Sequence, residues 1–137
     1  VRGITTGKIV DYGVKDSMNM GACMAPAAAE VIYQHFNDFA MIPDDYDAIY
    51  TGDLGEVGKE ILIKLLKDNG YDISKVHGDC GIEVYQDETQ DTHAGGSGCA
   101  CSAVVLSSMI TRKMINGGWL EEGCPPLFMH GTTDCLT

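Results

Sequence analysis

Short apolar runs alternate along this chain with longer stretches that repeat every three to four residues, and this alternation constrains the fold most. Gly7 to Val14 (GKIVDYGV) clusters Ile9, Val10, Tyr12 and Val14, which predicts a strand. The stretch 19–39 places Ala28, Val31, Ile32, His35, Phe36 and Phe39 on one helical face. Pro26 interrupts its early part, so the regular helix is expected to begin there, where a first turn tolerates proline. After a turn at Pro43-Asp44-Asp45, a short strand is expected at Asp47 to Tyr50. Asp53, with Glu56 three residues on, resembles a capping box. The helix it opens carries Val57, Ile61, Leu62, Leu65 and Leu66 inward and stops near Gly70.

Gly81 to Tyr85 (GIEVY) alternates as a strand would, and a polar connection follows to His93. The run Ala94-Gly95-Gly96-Ser97-Gly98-Cys99 then reads as a glycine-rich turn feeding a helix to about Asn116. Val104, Val105, Leu106, Met109, Ile110 and Met114 predict that this helix is largely buried, and Pro126 to His130 reads as a last strand. The resulting order βαβαβαβ argues for an α/β fold with a mainly parallel sheet covered by helices.

Composition removes several function classes. The net charge is −11 and no Lys/Arg run exists, so a nucleic-acid partner is not expected. No apolar run reaches the ~20 residues that span a bilayer. The chain opens on Val1 and a strand-like run follows almost at once, so it reads as a fragment with an upstream portion outside it. The six cysteines lack a secretory context and accompany an ordinary apolar content, which favours free thiols over a disulfide scaffold.

The local feature richest in chemistry is His93 with the glycine-rich turn. Glycines allow close backbone approach, and N–H groups at a helix start attract an anion. Tight packing of the helix start against a strand is the competing reading, at even weight. The run matches neither a dinucleotide fingerprint nor a phosphate loop with G-K-[ST]. Cys99 and Cys101 could be activated there, although cysteines are more often small buried apolar residues. Cys-x-Cys does not have zinc spacing, and His77 with Cys80 makes a weak pair, so no metal and no cofactor is expected. Asp53 lies at a strand-to-helix junction, where α/β folds place site residues, but an N-cap role is favoured. His35 is expected to be a packed core residue.

Four runs carry a resemblance: TTGKIVDYGVKDSMNMGACMAPAAAEVI, DDYDAIYTGDLGEVGKEIL, GYDI and QDTHAGGSGCACSAVVLSS. In this order they resemble the stage V sporulation protein AD family of the thiolase-like superfamily. The tail from Cys124 to Thr137 departs from the family pattern. The resemblance implies a thiolase fold of two similar halves, with residues 1–137 as the C-terminal half and the N-terminal half outside the chain. It further implies binding of dipicolinic acid and work with other stage V sporulation membrane proteins. The expected place is the cytoplasmic side, peripheral to the inner forespore or spore membrane.

True condensing enzymes carry His or Asn at the second strand-to-helix junction, whereas this chain has Thr51-Gly52-Asp53-Leu54-Gly55. An acidic residue cannot act as the neutral donor that stabilises an oxyanion. A non-catalytic binding protein is therefore the first expectation. His93 would donate to a ligand carboxylate, the backbone of Gly95, Gly96, Gly98 and Cys99 would cradle it, and Asp53 would meet calcium if the ligand arrives as its chelate. The alternative is an acyltransferase or condensing enzyme using coenzyme A thioesters, with Cys99 or Cys101 as nucleophile and His93 as base. A third expectation is a pairing role: a lone half should expose apolar surface and self-associate, and the whole protein is expected to be a homo-oligomer.

Overall fold

The computed structural model describes residues 3–96, 100–116 and 127–128. Among them is a three-stranded parallel sheet of order β2-β1-β3, formed by Ile49–Thr51 (β1), His77–Asp79 (β2) and Leu127–Phe128 (β3). Parallel neighbours require crossover connections, and the helix α2 (Gly55–Asp68) supplies the one between β1 and β2. Side chains alternate across β1, so Ile49 joins one apolar cluster while Ala48 and Tyr50 join another. The first cluster packs Ala25, Ala29, Ile32 and Phe36 of α1 (Met20–Phe39) against Leu54, Leu62 and Leu66. The second gathers Cys80, Cys101, Val105 and Ile110 on the opposite face. The layered α/β expectation holds in this coarse form.

The helix α1 starts at Met20 rather than at Pro26. Asn19 caps it, its side-chain oxygen accepting from Ala22 N at 3.0 Å. Pro26 is buried inside the helix. His35 is buried as expected, and its two ring nitrogens meet Thr5 Oγ1 at 2.7 Å and Tyr46 Oη at 2.8 Å. Burial holds its pKa below the ordinary imidazole value, opposed by the charge of Asp38.

α1 and α2 meet backbone to backbone. A Cβ on Gly58 would stand 2.8 Å from the Gly21 Cα, and one on Gly21 would collide with the Leu54 carbonyl. Only glycine at both positions permits this approach.

Two of the expected strands need correction. The run 7–14 is not a sheet strand: it is an exposed strap running along α1, with Ile9 98 % exposed. Thr5 bonds His35, Lys8 pairs with Glu30, and a Cβ on Gly7 would meet Val31. Its apolar clusters satisfy strand propensity, but its outward residues have no packed face to join. GIEVY is not a strand either. Cys80–Val84 forms the short helix α3, and the strand is the preceding His77–Asp79. The polar connection after it holds a further short helix, α4 (Asp87–Gln90).

The last helical run is less buried than its apolar content suggests. It consists of α5 (Cys101–Val105), a π-helical stretch Leu106–Ile110, and α6 (Thr111–Ile115). Val104 and Leu106 face outward, and the wider π turn after them shifts the helical spacing of the residues that follow. Ser107 and Ser108 also bond back to carbonyls one turn earlier, which competes with the regular ladder. The expected strand Pro126 to His130 is represented by β3, and its other residues lie outside those described.

Candidate functional site

The parallel strands β1 and β2 end side by side, and the chain after each turns into a helix start. Four orphan N–H groups open every helix, and each needs an acceptor when buried. Here the main acceptor is Asp79, whose carboxylate is 2 % exposed. Its Oδ2 accepts from Thr51 Oγ1 and Leu54 N, both at 2.9 Å. Its Oδ1 accepts from Gly81 N at 3.0 Å, Ile82 N at 3.2 Å and Gly55 N at 3.3 Å. One carboxylate thus caps α3 and braces the start of α2. Burial pushes its pKa up to about 6, against the downward pull of those hydrogen bonds.

Sequence reasoning did not single out Asp79. The available signal was an aspartate just before Cys80-Gly81-Ile82, obscured because GIEVY was read as a strand. The cap expected of Asp53 is displaced accordingly: α2 begins at Gly55, and Asp79 makes the bonds a capping box would have made.

Asp53 serves the glycine-rich turn instead. It is 8 % exposed, and its Oδ2 accepts from Gly96 N at 2.8 Å across 43 residues of sequence. A Cβ on Gly81 would collide with Asp53 Oδ1, so glycine there makes room for the carboxylate. Gly95 has φ +97°, a left-handed conformation natural to glycine, and its Cα side approaches the Asp53 carbonyl. On the other side Tyr85 Oη donates to the Gly96 carbonyl at 3.3 Å, and a Cβ on Gly96 would stand 2.5 Å from the Tyr85 ring.

The turn is also anchored to both long helices. Val57 N donates to the His93 carbonyl at 2.9 Å, and Gly21 N donates to the Ala94 carbonyl at 2.8 Å. The N-terminal ends of α1 and α2 therefore converge on residues 92–96. Gly55, at φ +65°, allows this, since a Cβ there would stand 2.5 Å from the His93 carbonyl. Of the residues singled out from sequence, Asp53, Gly95, Gly96 and the His93 backbone come together. The His93 side chain is exposed beside them, while Gly98 and Cys99 lie outside the described residues.

The other side chains with chemical potential are built into packing. His77 Nε2 meets Thr51 Oγ1 at 3.0 Å, while its Nδ1 is buried with no hydrogen-bond partner among the described residues. Burial lowers its pKa to about 4, helped by Lys59. Cys80 is fully buried and its thiol is pushed up to about 12 by burial and nearby carboxylates. Cys101 is 4 % exposed inside the second apolar cluster, away from the solvent access an attacking thiol needs. Cys23, Cys80 and Cys101 are thiols rather than halves of a disulfide. No group of three metal-ligating side chains occurs among the described residues, and no described helix is long and apolar enough to cross a membrane.

A helix-covered parallel sheet, with a glycine-rich turn lodged at the carboxyl ends of its strands, defines an α/β protein with its candidate site at the strand ends. The family model for stage V sporulation protein AD matches residues 1–121. Stage V sporulation protein AD of Bacillus subtilis (strain 168) is 48 % identical over 117 residues, covering 85 % of this chain and 34 % of that relative. The chain belongs to the stage V sporulation protein AD family, and it spans about a third of the length of the curated relative it matches.

Proposed function

We propose that the full-length protein containing this chain serves sporulation as a non-catalytic, thiolase-like binding protein for dipicolinic acid. It takes part in moving that dianion into the developing spore. The observation that carries this reading is the convergence of the turn after β1, the glycine-rich turn and the N-terminal ends of α1 and α2. Helix N-terminal ends favour a nearby carboxylate through their dipoles, while the Gly21 and Val57 amides there are taken by the turn's own carbonyls. His93, exposed beside the turn, is the side chain that would donate to it. The Gly95 and Gly96 amides donate to the Thr92 carbonyl and to Asp53, so these two glycines and Asp53 would form the frame of the cradle, and Gly98 and Cys99 would supply its donors. Family membership supports the sporulation setting. The partners proposed with it are the N-terminal half of the same fold, a second copy of the protein, and other stage V membrane proteins. The proposed location is the cytoplasmic side, peripheral to the inner forespore membrane.

The test is calorimetric titration of dipicolinate into the folded full-length protein, with and without calcium. Saturable binding that His93→Ala weakens at least about tenfold is expected, the scale for losing one charge-assisted hydrogen bond. Absence of binding to the folded protein removes the proposal.

A further inference from the structure

We infer that Asp53 is a positioning residue for the glycine-rich turn: its carboxylate latches Gly96, and it acts on any ligand only through that turn. The argument starts from where the carboxylate lies. It is nearly buried, and it spends an oxygen on the Gly96 amide at 2.8 Å. A charge-assisted hydrogen bond of that length is among the stronger polar contacts a protein makes.

The surroundings are shaped to keep it there. Glycine at position 81 leaves the space that Asp53 Oδ1 fills. Tyr85 holds Gly96 from the opposite side, through its hydroxyl on the carbonyl and its ring against the Cα. Gly96 is thus clamped at N, Cα and O. Gly95 takes the positive φ that turns the chain into this clamp. An aspartate recruited to ligate a cation would need its oxygens open to solvent or ligand. One of these oxygens is committed to a backbone donor, and the residue as a whole is shielded.

The inference rests on the binding reading only for its ligand arm. Its first readout needs no ligand. Amide hydrogen exchange at Gly95 and Gly96 is measured in the full-length protein and in Asp53→Ala, Asp53→Asn and Gly81→Ala. Asp53→Ala removes the acceptor, so exchange should rise at least about tenfold. Asp53→Asn keeps an oxygen that can accept from Gly96 and should restore most of the protection. Gly81→Ala pushes the carboxylate aside without altering its charge and should mimic Asp53→Ala. If Asp53→Ala does not fold, the other two variants carry the test.

Unchanged exchange in Asp53→Ala overturns the inference. So does a folded Asp53→Asn that fails to protect, because the charge rather than the acceptor would then matter. The second readout is dipicolinate affinity with and without calcium. Affinity that follows the exchange pattern, with equal calcium dependence in wild type and Asp53→Asn, supports the latch. Calcium dependence lost in Asp53→Asn overturns it. Failure of the wild-type protein to bind dipicolinate sinks the proposed function and leaves the exchange test standing.

Discussion

At the scale of single residues, Asp79 and His77 share one hydroxyl and titrate in opposite senses. Thr51 Oγ1 donates to Asp79 and can accept from His77 Nε2. His77 binds its proton near pH 4 when folded and near 6.5 when unfolded. The unfolded chain therefore holds more protons between those values, and this histidine's contribution falls as pH drops from 6.5 to 4. Asp79 has its folded pKa raised from 3.8 to about 6, so the folded chain holds more protons there and its contribution falls as pH rises through that window. Each effect is up to ~3 kcal/mol by linkage. The two contributions oppose one another in the wild type between pH 4 and 6.5. His77→Gln removes one side, so its stability relative to wild type should increase steadily towards pH 4 in urea unfolding curves. A flat difference across that range contradicts the coupling. Asp79→Asn puts an amide group against N–H donors and should cost about 2–4 kcal/mol at pH 7, read from the same curves.

At the scale of elements, the glycine contact between α1 and α2 decides how the first core cluster closes. Gly58→Ala forces a methyl against the Gly21 backbone, and a loss of about 1–3 kcal/mol is expected from overpacking, with a matching fall in melting temperature. An unchanged melt would mean that the two helices slide apart without cost. The same scale shows what the sequence could and could not reveal. α1 and α2 were legible because each buries a long stripe with helical spacing, and Gly70 marked a stop. β2 was not legible: His77-Gly78-Asp79 carries no apolar pattern and is a strand only because it pairs with β1. GIEVY misled in the other direction, since Ile82 and Val84 alternate within a five-residue helix too short to show its own period. At the site, the glycine-rich turn announced itself by composition. Asp53 was noticed for the wrong partner, because a contact reaching across to Gly96 leaves no local spacing to read.

At the scale of the whole molecule, the most exposed large apolar residues among those described lie in the segment before α1 and in α6. Ile4, Ile9, Tyr12 and Met18 precede α1 and Ile115 ends the last helix, each at least 69 % exposed. Large apolar side chains exposed to this degree favour association. The isolated chain should sediment as a dimer or larger species at micromolar concentration. A stable monomer under those conditions would contradict the pairing expectation. Polar substitution of Ile9 and Met18 should shift the distribution towards monomer without lowering the melting temperature, because neither residue belongs to the core clusters.

The carbonyls of His93 and Ala94 bond the first turns of α2 and α1, which stand some 36 and 73 positions earlier in the sequence. During synthesis on the ribosome both helices emerge well before these carbonyls do. Until the glycine-rich segment arrives, Gly21 and Val57 must leave those amides to water. The late arrival of their acceptors ties completion of two early helices to a distant segment, and contacts of such long sequence separation form slowly. Translation pauses that hold residues 93 and 94 inside the ribosome exit tunnel should therefore prolong a protease-sensitive nascent stage, whereas pauses placed after these residues have emerged should not.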